Sequence, residues 1–177
     1  MTFPDTVRQP CVVPWGSGAA RPAATSRAAL IPEYPFTPKS NRRLRPGQFW
    51  AVPLSDGRFA AGRVMAVPAF GPTDRTGLVV GLMDWSGDAP PADRDLVGRH
   101  VLAQAKTNYR AISRTGGAVL GERDLDLDEL APLDPDDLSV GSIQNVWGWA
   151  TICTYAERAF VGPDSVPVCW KPDEPRL

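Results

Sequence analysis

The sequence predicts a mainly β, α+β fold: a small, strongly bent antiparallel sheet or SH3-like barrel, with one or two helices and a proline-rich N-terminal arm. Three observations carry this. An Asp-Gly pair sits between two apolar runs in "LRPGQFWAVPLSDGRFAAGRVMAV", residues 44–67, and Asp-Gly is a hairpin signal because tight turns need positive φ. "LVVGLMDW", residues 78–85, is a nearly unbroken apolar run of strand length, as a strand buried on both faces requires. Nineteen prolines and sixteen glycines among 177 residues favour short elements and many turns over long helices.

The composition, 43% hydrophobic and 22% charged, supports a packed core in one domain, expected over residues 44–177. Residues 1–43 differ. Pro4, Pro10, Pro14, Pro22, Pro32, Pro35 and Pro38 punctuate them, and proline removes backbone donors and fixes φ, which excludes a regular helix or central strand. An extended arm is expected there, either loose or laid over the domain surface by Trp15, Tyr34 and Phe36. Arg42, Arg43 and Arg45 form a basic cluster where it ends.

In the first hairpin, a two-residue turn at Asp56 and Gly57 places Leu54 opposite Phe59, Val52 opposite Ala61 and Trp50 opposite Arg63 on one face. Phe49 then pairs with Val64 and Ala51 with Gly62 on the other. A Trp50–Arg63 cation–π pair contributes about 0.5–1 kcal/mol at an exposed site, and Trp50 is the tryptophan expected to be partly exposed. Pro53 marks an edge or a bulge. Residues 85–98 read as a turn-rich connection with at most one helical turn. Residues 99–112 hold one or two strands, and "TGG" at 115–117 reads as a hairpin turn into "AVLGE". Five or six strands result. In "WATICTYAERAF", residues 149–160, the period changes. Trp149, Ile152, Cys153, Ala156 and Phe160 share one helical face, with Thr151, Thr154, Glu157 and Arg158 away from it. Of Trp50, Trp85, Trp147, Trp149 and Trp170, two or more are expected in the core.

The net charge of -1 hides an asymmetry. Residues 1–75 carry ten Lys/Arg against four Asp/Glu, and residues 76–177 carry nine against sixteen. The segment "ERDLDLDELAPLDPDD", residues 122–137, holds eight acids and one arginine. Such a run is either a solvated loop or an acidic face for a basic partner. No apolar stretch approaches the roughly 20 residues of a membrane helix, and the N-terminus lacks the pattern of a signal peptide. Cys11, Cys153 and Cys169 form no CxxC pair and cannot all be bridged, which fits a reducing cytoplasm.

Chemistry-bearing motifs are sparse. His100 is the single histidine, so no histidine pair serves acid–base work, and a structural role is expected. Cys153 falls on the apolar helix face as a small hydrophobe, and Cys169 has no partner nearby in sequence for zinc. Neither GxxxxGK[ST] nor GxGxxG occurs, so no phosphate cradle is written. Taking Asp124 as the first ligand of a calcium loop puts Glu129 where glycine is needed and Pro135 where the bidentate glutamate belongs. No catalytic residue, metal site or cofactor is expected.

The stretch "PGQFWAVPLSDGRFAAGRVMA" resembles the opening of the immunity-protein-26 family, bacterial proteins predicted to neutralise toxins of polymorphic toxin systems. The matching positions are Gly47, Phe49, Val52, Pro53, Leu54, Asp56, Gly57, Phe59, Gly62, Arg63 and Val64. "DWSGDAPP" and "TGGAVLGERDL" look like later segments with the same layout, so the resemblance runs from about Leu44 to Phe160. It implies inhibition by binding a cognate toxin domain, with no catalytic residues to carry over. The arm of 43 residues departs from the compact start of that family. "RPGQFWAVPL" also looks like the start of PemK/MazF-type ribonuclease toxins, but the early turn and the absence of a basic proline pair around "LVVGLMDW" argue against that reading.

A non-enzymatic partner-binding protein is therefore expected, with Trp50 and Arg63 on the hairpin and Asp124, Asp126, Asp128 and Glu129 in the acidic segment as contact residues. The alternative is a nucleic-acid-associated barrel using Arg42, Arg43, Arg45, Arg58 and Arg63. A pI near 5.8 counts against it.

Overall fold

The computed structural model describes residues 33–67, 77–131 and 146–170, which belong to the compact unit Pro32–Leu177. Five antiparallel strands form one sheet: β1 (Gln48–Pro53), β2 (Phe59–Ala66), β3 (Gly77–Gly87), β4 (Val101–Asn108) and β5 (Gly121–Glu122). Their order is β4-β3-β2-β1-β5, so β4 and β5 are opposite edges and the sheet stays open. A short helix α1 (Arg110–Ser113) and a longer α2 (Thr151–Phe160) complete the fold. The mainly β, α+β expectation holds, and the sheet does not close into a barrel.

Both faces of the sheet are covered. The helical face buries Trp50, Val52, Leu54, Ala60, Val64, Leu78, Val80 and Leu82 beneath Ile112 of α1, Trp147, and Ile152, Cys153 and Ala156 of α2. The opposite face buries Phe49, Ala61 and Met83 beneath Leu96, and Met65 and Val79 beneath Leu125. Burial on both faces is why "LVVGLMDW" reads as an unbroken apolar run rather than an alternating one. At β4 the register against β3 slips between Leu82 and Met83, leaving Leu102 as the extra residue. A bulge there turns the strand, and Ala103 and Ala105 pack on the helical face while Val101 packs on the other.

The first hairpin forms with a register one residue away from the two-residue-turn prediction. Leu54 N–H donates to Arg58 O at 2.8 Å, which makes a three-residue loop of Ser55, Asp56 and Gly57. Gly57 takes a φ of +89°, the left-handed position such a loop requires. Asp56 reinforces it by accepting from Arg58 N–H at 3.0 Å. Trp50 therefore faces Gly62, and Phe49 faces Arg63. Because side chains alternate, this single-residue slip puts Trp50 and Arg63 on opposite faces, and the expected cation–π pair does not form. A Cβ at Gly62 would lie 2.4 Å from the Trp50 ring, so the absence of a side chain there makes room for the indole.

Residues 99–112 hold one strand, β4, within the one or two expected, followed by the start of α1. Thr115, Gly116 and Gly117 do not make a hairpin turn. They close α1, with Gly117 N–H donating to Ile112 O at 2.9 Å, and carry the chain over Trp50 to the far edge, where β5 pairs with β1. Thr115 Oγ1 accepts from the Trp50 indole at 3.1 Å on the way. Trp50 and Trp147 are both buried, as the two-tryptophan core expectation requires.

Two expectations for α2 change. Glu157 is fully buried, not turned to solvent. Its carboxylate accepts from Ser55 N–H at 2.7 Å and Ser55 Oγ at 2.9 Å, tying the helix to the hairpin loop. Cys153 is not a free thiol but is bonded to Cys169, so the cysteine argument for a reducing cytoplasm does not carry over.

Of the arm expected over residues 1–43, positions 1–32, including Trp15, lie outside the described residues. Its end is laid on the β5 edge. Phe36 and Val119 exchange two backbone hydrogen bonds, and Tyr34 donates to Glu122 at 2.7 Å while accepting from Gln48. Burial, then the bond to Glu122, pushes the Tyr34 hydroxyl up to about 12.

Candidate functional site

The face opposite the helices carries the first part of the acidic segment, up to residue 131; residues 132–137 lie outside the described residues. After β5, residues 123–130 fold into a knuckle around a 3-10 turn at Asp126–Asp128, closed by Glu129 with φ 53°. The chain can turn this tightly because Asp124 Oδ1 accepts from Asp126 N–H at 3.1 Å, the local bond by which aspartate favours turns over helix. Leu125 points down onto Met65 and Val79 as the apolar foot of the knuckle.

An ion cluster fixes the knuckle to the sheet. Arg63, in the middle of β2, reaches Asp128 at 2.8 Å, with neither side chain exposed. Its Nη2 donates to Arg123 O at 2.7 Å and Asp124 O at 3.1 Å. Arg123 adds Nε at 2.9 Å and Nη2 at 2.9 Å to the same carboxylate, and Gly98 N–H donates at 3.2 Å. Arg63 Nε is, among the described residues, the buried side-chain polar atom with no partner. Burial pushes the Asp128 carboxyl up, but the hydrogen bonds from Arg123, Arg63 and Gly98 outweigh it and hold it down at about 2. Charged hydrogen bonds of this kind are the strong ones. Arg123 is raised in turn, chiefly by its bonds to Asp128, and it reaches Asp93 at 3.5 Å. Asp93 opens a second 3-10 turn, Asp93–Leu96, so two loops meet at Asp128.

The predicted contact residues divide accordingly. Asp124, Asp126 and Glu129 are exposed. Asp128 is spent inside the cluster. Trp50 and Arg63 are both 0% exposed; Trp50 fills the helical-face core, and Arg63 holds the knuckle from below instead of presenting a surface. The hairpin and the acidic segment do come together, but through the underside.

Two apolar side chains flank the meeting point. Leu127 is 69% exposed and Val97 56%, and their chain neighbours Asp128 and Gly98 are hydrogen-bonded to each other. Leu127 and Val97 thus stand on the two loops that meet at Asp128, one carrying the exposed Asp124, Asp126 and Glu129, the other the exposed Asp93, Arg94 and Arg99. Leu127 had a sequence signal, a leucine enclosed by acids with no helical or strand period to absorb it. Val97 and Arg123 had none.

Of the arginines of the alternative reading, Arg42 is exposed and three others are engaged within the fold. Arg58 is paired with Asp56 at 2.8 Å and donates to Phe160 O at 2.7 Å. Arg43 lies over the Phe36 ring at 4.5 Å, and Arg63 is buried. His100 is exposed, contributing its backbone carbonyl to Asp84 N–H at 2.8 Å. Among the described residues, no group of three His, Cys, Asp or Glu side chains could hold a metal ion, and no helix is long and apolar enough to cross a membrane.

No protein-family model matches the chain, and neither a curated protein nor a solved structure matches it.

Proposed function

We propose that the protein is a non-enzymatic binding protein that neutralises a bacterial toxin domain by direct contact, using the acidic knuckle. The observation that supports this is the division of labour within six residues, 124–129: Asp128 is locked to a buried arginine while Asp124, Asp126 and Glu129 stand in solvent in the same short segment as an exposed leucine. An apolar centre with a polar rim is how partner surfaces are commonly built, and a rim fixed in advance lowers the ordering cost of binding. Acidic side chains suit a partner with a basic catalytic cleft, whose approach they steer. The resemblance of the first hairpin to immunity-protein-26 members points the same way. The hairpin's contribution is to supply Arg63, not to touch the partner. A cytoplasmic site of action goes with this reading.

Capture from a lysate of the source organism tests it, with wild-type protein and the Asp124→Lys/Asp126→Lys/Glu129→Lys variant as parallel baits. A near-equimolar protein held by the wild type, released as salt rises and lost on the variant, supports the proposal. The same protein on both baits removes the knuckle as the contact. Nucleic acid in place of protein, with a steep salt slope, replaces the proposal with a nucleic-acid role.

A further inference from the structure

After α2 the chain turns back along the helix as the return segment, residues 161–170. Its hydrogen bonds are short-range. Val161 and Gly162 N–H donate to Glu157 O at 2.8 and 2.9 Å, and Ser165 donates to Gly162 O from its amide at 3.3 Å and its hydroxyl at 2.6 Å. From Val161 to Cys169 no residue is buried, and Val166 is 75% exposed. The tie that reaches further is covalent, between Cys169 and Cys153, with Cα atoms 6.3 Å apart. The two ends of that tie differ. Cys153 is fully buried in the helical-face core beside Ile152 and Ala156, whereas Cys169 is half-buried and packs against that core from outside.

We propose that the Cys153–Cys169 bond is a redox strap: closed, it pins residues 161–170 to α2, and opened, it frees that segment while the sheet stays folded. The asymmetry of the two cysteines is the reason. A reduced Cys153 remains a small apolar side chain in a site already shaped for it, so the packing of α2 on the sheet does not depend on the bond. Among Val161–Cys169 there is no buried side chain and no long-range hydrogen bond to replace it. Segments with so few anchors open locally without global unfolding.

The opening step needs a dithiol reductant, of the class of dithiothreitol or a thioredoxin-type protein. One of its thiolates attacks Sγ of Cys169, the sulfur nearer solvent. The protein S–S bond breaks, a mixed disulfide forms at Cys169, and Cys153 leaves as a thiolate that takes up a proton. The second thiol of the reductant then attacks its own sulfur in the mixed disulfide, closing the reductant's ring and releasing Cys169 as a thiolate that is protonated in turn. Two electrons pass to the protein and the dithiol is oxidised to a disulfide. A reducing cytoplasm keeps the strap open, and an oxidising compartment closes it. This inference stands independently of the proposed binding function.

The test uses the full chain carrying Cys11→Ser, so that the two strap cysteines alone are counted. Protein prepared with oxidised glutathione is unfolded and treated with iodoacetamide, before and after dithiothreitol. Native hydrogen–deuterium exchange is followed in both states. The strap predicts no alkylation before reduction and two alkyl groups after it. It also predicts exchange about tenfold faster across residues 161–170, with β2 and β3 unchanged. Cys169→Ser, a change outside the buried core, should give the fast-exchanging segment without any reductant. Two alkyl groups before reduction would show that the bond does not form. Unchanged exchange at 161–170 on reduction, or loss of protection spread through β2 and β3, would overturn the strap.

Discussion

On the helical face, Trp50 lies sealed beneath α1 and α2 among aliphatic neighbours, with a single polar contact from its indole to Thr115. On the knuckle face, Arg63 is sealed as completely, yet its partners are a carboxylate and two carbonyls in a short turn that also carries three exposed acids, Asp124, Asp126 and Glu129. Both residues come from the same hairpin. One face is held by shape and apolar area, which are insensitive to charge and pH. The other adds to its apolar contacts a few charged hydrogen bonds, which are directional and place the knuckle in one position. The contrast teaches that burial of a hairpin residue can serve either the core or the presentation of a surface.

The sharpest way to break the comparison is to remove the helical-face anchor. Trp50→Ala should lower stability by about 3–5 kcal/mol, read as a shift of the urea midpoint with all probes moving together. A loss below about 1 kcal/mol would mean that the helical face is not the main source of stability. Arg63→Met comes next. It leaves Asp128 buried with part of its partners gone, a change that costs on the order of 3 kcal/mol. The double variant Arg63→Met/Asp128→Leu should recover much of that in the same urea experiment, since two apolar residues replace the pair. No recovery would mean that the cost comes from lost packing of the arginine stem.

A smaller effect concerns pH. The folded Asp128 carboxyl sits at about 2, below its ordinary 3.8. Its contribution is therefore complete above the unfolded value and is lost as pH falls through the folded one. Thermal unfolding should be flat above about pH 5 and decline between about pH 4 and 2, with Asp128→Asn giving a shallower decline. An identical acid slope in the variant would assign the decline to other carboxylates. The smallest change is expected from Asp126→Lys/Glu129→Lys, which leaves the Asp124 turn bond in place, within about 0.5 kcal/mol of wild type for each exposed site. A larger loss by chemical unfolding would show that the exposed acids hold the knuckle together and are not free for a partner.

Much of the architecture was legible in the sequence, because it rests on local signals. Asp56-Gly57 marked the hairpin turn, the apolar run at 78–85 marked the central strand, and the Ile152, Cys153, Ala156 spacing marked α2. The register was not legible to one residue, since two- and three-residue loops both use a glycine at positive φ. That slip decided the fate of Trp50 and Arg63. Gly62 held the missing clue, as the position able to receive an indole. Glu157 was misplaced although it lies one helical turn beyond Cys153 on the same face, because its partner Ser55 is 102 residues away in sequence. The Cys153–Cys169 bond and the Arg63–Asp128 pair were hidden for the same reason: each is a contact made by the fold, not by spacing. In the acidic segment composition marked the acids, but only the fold separates Asp128, turned inward, from the exposed Asp124, Asp126 and Glu129.

The most direct measurement compares native hydrogen–deuterium exchange of the wild type with that of Arg63→Met. The amides of Asp128, Glu129 and Leu130 bond within the knuckle, and that of Gly98 bonds to Asp128. If Arg63 is what fixes the acidic surface, these amides lose protection in the variant while those between β2 and β3 keep theirs. Protection lost evenly across the sheet, or retained at the knuckle, would contradict the account.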